Sequence, residues 1–282
     1  MKKLCLAVIV VSLCALSFAG VIGTTSDNNQ QQAAAARQKK VEASQAVPHS
    51  PLATTTCSFN FASGAANTFL SYCVTVNGNV LEIVTPVNQH HLFAREGYGF
   101  CDINTNTEYF DYAGAGDTPN WNSAVVLSQS ATKVKIARTT SDGVWTLTQT
   151  ITQVPATSSV KVSMTLKNNT LASREVQLVR FADIDADGSA ANTVDATLND
   201  AMIFNSVGRG GSFGLALQNI GTSPFTYLGY TQNTPSGVSP CSPFTHQALG
   251  PLVGTDGSAV MTYVITIPAG ASRTVNVGYR GL

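Results

Sequence analysis

The stretch SVKVSMTLK, residues 159–167, alternates without a break: Val160, Val162, Met164 and Leu166 are apolar, while Ser159, Lys161, Ser163, Thr165 and Lys167 are polar. A period of two sends the two sets to opposite faces of an extended chain, so the stretch reads as a strand with one wet face. Working toward the N-terminus, residues 144–154 and 132–139 carry strand signals too, separated by Ser141-Asp142-Gly143. Toward the C-terminus, Asn168-Asn169-Thr170 turns the chain into residues 174–184, and residues 260–267 and 273–279 flank Pro268-Ala269-Gly270. Residues 72–76 and 79–84 flank Asn77-Gly78, a pair that tolerates the two positive φ angles of a type I′ hairpin turn. After the first fifty or so residues, no stretch keeps a helical period over ten residues. Strands and polar turns at roughly 8–12-residue spacing predict an all-β fold, a large antiparallel β-sandwich of jelly-roll-like or supersandwich type. The prolines and glycines of residues 221–258 predict long loops there.

The N-terminus reads differently. Lys2 and Lys3, an apolar run over residues 4–16, and Ser17 and Ala19 before Gly20 have the layout of a secretory signal over residues 1–19. The run falls short of the ~20 apolar residues of a membrane-spanning helix. Leu13 before Cys14 does not suit lipid attachment. Residues 20–53 contain Gln30, Gln31 and Gln32, the alanine run from Ala33 to Ala36, a small basic cluster at Arg37, Lys39 and Lys40, and no aromatic residue, which is the composition of a flexible leader. Residues 54–282 are then expected to form one β-sandwich domain of an extracytoplasmic protein, periplasmic or secreted, with no membrane span in the mature chain.

The sequence has 16 basic and 16 acidic residues, so no net field attracts nucleic acid. Beyond the signal, Cys57, Cys73, Cys101 and Cys241 are an even set in a compartment that permits disulfides. Four cysteines allow three pairings; Cys57 with Cys73 as a local staple and Cys101 with Cys241 as a long-range tie is the favoured one. No Cys-x-x-Cys spacing supports zinc.

Residues 159–188, SVKVSMTLKNNTLASREVQLVRFADIDADG, and residues 78–102, GNVLEIVTPVNQHHLFAREGYGFCD, resemble a group of secreted bacterial β-sandwich proteins without an assigned activity. Their layout is also similar to large β-sandwich domains of carbohydrate-active proteins. The resemblance implies a fold and carries over no catalytic residue.

Two segments carry candidate chemistry. Asp183, Asp185 and Asp187 alternate before Gly188, as at the opening of an oxygen-rich calcium loop, although Val194 stands where such a loop needs glutamate. The plain structural alternative is an acidic turn with Arg180 paired to one carboxylate. In residues 98–121, Tyr98, Tyr109, Tyr112 and Trp121 accompany Glu108 and Asp111, combining rings that stack on sugars with carboxylates that accept hydroxyl protons. The alternative for the rings is core packing. Glu96, Asp102, Glu108 and Asp111 are the stock from which a hydrolase would draw two carboxyls. Arg95-Glu96-Gly97-Tyr98-Gly99 reads as a tight turn with a local ion pair, and His90 and His91 would face opposite ways on a strand. The reading is an exported non-enzymatic β-sandwich that binds a glycan or cell-surface partner and holds a structural calcium ion. The alternatives are a carbohydrate-active enzyme of glycoside hydrolase type and a purely structural or adhesive surface protein.

Overall fold

The structure, a computed structural model, describes residues 55–186, 188, 191–197, 201–206, 214–220, 224–233, 237–248 and 250–282. The signal and leader segments and Asp187 lie outside the described residues.

The chain builds the first sheet with β1 (Phe59–Ser63), β2 (Leu70–Val74), β3 (Val80–Val84), β4 (His90–Asp102), β5 (Thr107–Ala113) and β6 (Gly116–Asp117), each pairing antiparallel with the one before. It crosses to a second sheet for the meander β7 (Val125–Gln129), β8 (Lys133–Thr139), β9 (Trp145–Val154) and β10 (Ser159–Asn168). Strand β11 (Arg174–Ala186) returns to the first sheet beside β4; β12 (Asn192–Thr197), β13 (Ala201–Ser206) and β14 (Gly214–Asn219) lie in the second. Strand β15 (Thr226–Gln232) is again in the first sheet and β16 (Leu252–Thr255) in the second. Strand β17 (Ser258–Ile267) then pairs between β11 and β15, and β18 (Ser272–Gly281) between β14 and β10. Among the described residues each sheet has nine strands and open edges, so the fold is a large antiparallel sandwich and not a closed barrel. Among the described residues no α-helix occurs, and no helix is long and apolar enough to cross a membrane.

The alternation in β10 decides its packing as expected: Val160, Val162, Met164 and Leu166 are fully buried, while Lys167 on the other face is exposed. Val275, Val277 and Tyr279 of β18 and Leu178, Ile184, Tyr263 and Ile265 of the first sheet join them in one core cluster. Each such side chain contributes about 1.5–3 kcal/mol by leaving water.

The first sheet is buried on its other face too. On β11, Leu178, Ala182 and Ile184 enter the main core, whereas Val179 and Phe181 belong to a second cluster with Phe110, Tyr112, Tyr230, Val238 and Val260. Residues 237–248 contribute Val238 and Phe244 to that cluster and so cover this outer face. A strand buried on both sides shows no polar alternation, which is why residues 174–184 read as a strand without revealing which side faces in.

Two local expectations change. Residues 95–99 lie inside the thirteen-residue β4 and do not form a turn. Gly97 and Gly99 are there because the chain is crowded: a Cβ on Gly97 would meet the Asp111 carbonyl oxygen at 1.9 Å, and one on Gly99 would meet Phe110 Cβ and Pro240 Cγ at 2.7 Å. The Arg95–Glu96 pair is also absent, because neighbours on a strand diverge; Arg95 contacts Asp183 while Glu96 contacts Arg180. The hairpin after residue 74 forms, but only Gly78 has a positive φ, so the turn is not of type I′. Asn77 is held instead by the core behind it: its side chain donates to Asp111 at 2.7 Å, and its carbonyl accepts from Tyr98 at 2.9 Å and Gln149 at 3.2 Å.

The disulfides pair Cys57 with Cys73 and Cys101 with Cys241. The first joins β2 to the residues just before β1, and the second ties β4 to the covering segment 140 residues later.

Candidate functional site

The same alternation that puts Val179 and Phe181 on the outer face of β11 continues through Asp183 and Asp185. Opposite Asp183 the β4 register shifts, leaving Ala94 between Arg95, which pairs with Asp183, and Phe93, which pairs with Ile184. Such a bulge re-aims neighbouring side chains. On the other side Asp183 pairs with Ser258, the first residue of β17, so Asp256 in the preceding turn comes alongside. One carboxylate oxygen from each of Asp183, Asp185 and Asp256 lies within 4.8 Å of the others.

The cluster stands where the chain changes sheet twice, from β11 to β12 and from β16 to β17. Asn192 Nδ2 ties the first crossing by donating to the Ile184 carbonyl at 3.0 Å, and the Gly188 N–H donates to the Asp185 carbonyl at 3.0 Å. Asp183 is buried, Asp185 half-buried and Asp256 exposed, which leaves the cluster open on one side.

Charge is not balanced there. Arg95 Nη1 lies 3.4 Å from Asp183 Oδ2, while the buried Asp183 Oδ1 accepts no hydrogen bond. Burial, followed by repulsion from Asp256 and Asp185, pushes the Asp183 carboxyl up to about 8, and Arg95 only partly opposes this. Asp185 is raised by burial and then by Asp256. Among the described residues, three carboxylates beside one guanidinium offer the hard oxygens that could hold a metal ion.

Sequence reasoning found Asp183 and Asp185 from their spacing. It chose Asp187, outside the described residues, as the third ligand and missed Asp256, which arrives only through the β11–β17 register. Arg180, expected beside the acidic turn, faces inward and pairs with Glu96.

The aromatic candidates do not gather at one exposed surface. Tyr98, Tyr109, Tyr112 and Trp121 are all buried. Tyr98, Tyr109 and Trp121 pack in the main core around Phe100, with Tyr109 stacked on Phe100 at 4.8 Å and Tyr98 edge-on to Trp121 at 5.9 Å. Tyr112 points the other way, stacked on Phe110 at 5.1 Å beneath residues 237–248. As packed, the rings bind one another, so a sugar ring has no platform on them.

The carboxyl candidates are committed as well. Asp102 is bound by Arg174 at 2.5 Å and by the Trp145 indole N–H at 3.1 Å. Asp111 is bound by Arg138 at 2.5 Å, yet burial still lifts its carboxyl to about 6. Glu96 accepts from Arg180, from Tyr279 at 2.5 Å and from the Val80 N–H at 2.6 Å. Glu108 holds the covering segment through Ser239 and the Cys241 N–H. His90 pairs with Glu82 at 2.7 Å on the surface, while His91 is buried against the Thr85 carbonyl at 3.2 Å.

No protein-family model matches the sequence, and no curated protein is similar to it. Among solved structures, a bacterial glucoamylase complexed with acarbose superposes with a TM-score of 0.53 at 10% identity, over 84% of this chain and 34% of that one. This chain has a sandwich fold like part of that glucoamylase. It spans about a third of the glucoamylase's length. A putative aldose 1-epimerase from Escherichia coli K12 aligns at 9% identity with a TM-score of 0.45, covering 79% of this chain and 99% of that one. A galactose mutarotase-like protein from Lactobacillus casei ATCC 334 aligns at 10% identity with a TM-score of 0.36, covering 78% and 100%. The resemblance read from residues 78–102 and 159–188 is thus met at the level of fold.

Proposed function

We propose that the protein is an exported, non-catalytic β-sandwich binding module stabilised by a calcium ion at Asp183, Asp185 and Asp256. The observation that carries the cation is the buried Asp183 Oδ1, which has no donor in a cluster of three carboxylates and one arginine. Calcium accepts six to eight oxygens; three carboxylates supply up to six, and water reaching the exposed Asp256 supplies the rest. The ion ties the two sheet crossings together, which is a structural role. The pairing of Asp102, Asp111 and Glu96 with arginines supports the non-catalytic reading. Glycan is the ligand class the shared fold suggests, the glucoamylase having been solved with acarbose. Two disulfides are compatible with an extracytoplasmic location.

The test is thermal unfolding with calcium, with a chelator and with soluble oligosaccharides. A ligand bound only by the native state adds about 2.7 kcal/mol at a hundred times its dissociation constant. Calcium is expected to raise the midpoint in the wild type and to leave Asp256→Asn unmoved; because Asp256 is exposed, that variant keeps its core. No shift in the wild type at millimolar calcium removes the cation from the reading, and no shift with any sugar removes the glycan.

A further inference from the structure

The outer face of the first sheet is not filled by the other sheet but by a short piece of the same chain. On β4, Gly97 and Gly99 leave a floor without side chains, walled by Phe110 and Tyr112 of β5 and Phe181 of β11. Pro240 sits on that floor, 2.7 Å from where a Cβ of Gly99 would stand, while Val238 and Phe244 pack on the rings. Aromatic walls around a proline are one means by which peptide-binding grooves hold their ligands, and the segment over these walls runs through turns, with the Ser242, Thr245 and Gln247 N–H groups donating to the carbonyls three residues before them. Here the groove holds its own chain.

We propose that residues 237–248 are a plug latched by the Cys101–Cys241 disulfide, and that reduction of this bond opens the groove while both sheets stay folded. The bond is the one covalent tie between β4 and the plug. Hydrogen bonds hold it as well: Ser239 and the Cys241 N–H on Glu108, Tyr230 Oη on the Pro243 carbonyl, Gln232 Nε2 on the Gly237 carbonyl at 3.1 Å, the Ala248 N–H on the Thr231 carbonyl at 2.7 Å, and a bridge between Gln232 and Gln247. One feature opposes closure, because the Tyr112 hydroxyl is buried beneath the plug with no hydrogen-bond partner and regains water when the plug lifts. An external dithiol supplies the two electrons. Its thiolate attacks Cys241 Sγ, which belongs to the less deeply buried of the two cysteines, and Cys101 leaves as thiolate. Its second thiol then resolves the mixed disulfide, giving two protein thiols and the oxidised dithiol. The opened face exposes Phe110, Tyr112, Phe181 and Tyr230 to solvent. The cation site plays no part in this inference.

Hydrogen exchange resolved by peptide tests it on the Cys101→Ala/Cys241→Ala variant, in which Cys57–Cys73 is intact. Exchange in residues 237–248 is expected to rise at least about tenfold with β4, β11 and β17 unchanged, together with new fluorescence from the apolar dye anilinonaphthalene sulfonate. If the variant does not fold, the same amides are followed in folded Cys57→Ala/Cys73→Ala protein after adding dithiothreitol. A plug that stays protected overturns the proposal by showing that noncovalent contacts suffice. Loss of protection throughout both sheets overturns it by making the disulfide a brace for the whole domain.

Discussion

Replacing Arg180 by methionine probes the most deeply buried charge between the sheets. Arg180 and Glu96 are both inaccessible to solvent. The guanidinium reaches across to the second sheet, donating to Gln149 Oε1 at 2.7 Å and to Tyr279 Oη at 3.2 Å, and pairs with Glu96 on the neighbouring strand. Methionine keeps most of the stem's volume but leaves Glu96 facing a dry core without a cation, and breaking a buried pair in this way costs about 3–5 kcal/mol. The cost depends on pH. Burial already raises the Glu96 carboxyl, and Arg180 is the chief force holding it down, so the variant raises it further. A carboxyl whose native pKa exceeds its unfolded value, about 4.3, binds its proton more tightly when folded, so stability falls as pH rises through that window. The variant should therefore lose up to about 1.4 kcal/mol more than the wild type per pH unit above roughly 5. Urea unfolding at pH 5, 6 and 7 measures this. Adding Glu96→Gln, which can still accept from the Val80 N–H, should recover at least about 1.5 kcal/mol of the loss at pH 7. A cost below about 1 kcal/mol, or a pH profile parallel to the wild type, refutes the account of a buried charge network.

Three further outcomes are expected. Asp111, lifted to about 6, should make the wild type lose stability as pH rises from about 4 to 6, and Asp111→Asn should be flatter over that window; equal slopes in chemical unfolding would count against it. Trp145→Phe removes the indole donor to Asp102 and should cost about 1–3 kcal/mol; a loss under 0.5 kcal/mol would mean that Arg174 alone satisfies that carboxylate. Thiol titration of unreduced protein in denaturant should find none of Cys57, Cys73, Cys101 or Cys241 free, and any stoichiometric thiol among them contradicts the two bridges.

The fold was legible where one face of a strand is wet. Val160 to Leu166 announce their strand because Lys161 and Lys167 stand between or beside them. It was less legible in β5, where Tyr109 and Asp111 turn inward and Phe110 and Tyr112 turn outward, yet all four are buried. Composition there marks a crowded aromatic region and not the face each ring takes, so the rings looked equally suited to ligand and core. Two members of the acidic cluster were legible because they sit two apart on one strand; the third lies 71 to 73 residues away and arrives through a strand register that no local pattern encodes. The plug read only as loop, because its meaning lies in what it covers.

The position of β18 bears on how this chain is made. The second sheet consists of a meander, β7 to β10, and a separate group, β12 to β14 with β16, and the strand that joins them is the last in order. During synthesis β7 to β10 can pair with one another early, but β10 lacks its second neighbour, and the two halves share no hydrogen-bonded strand, until β18 slides between them. Nascent chains that stop short of residue 272 therefore expose two facing strand edges, those of β10 and β14, and such edges recruit other chains. Without β18 the second sheet is two fragments, each with an open edge, and its pairing with both turns them into one sheet.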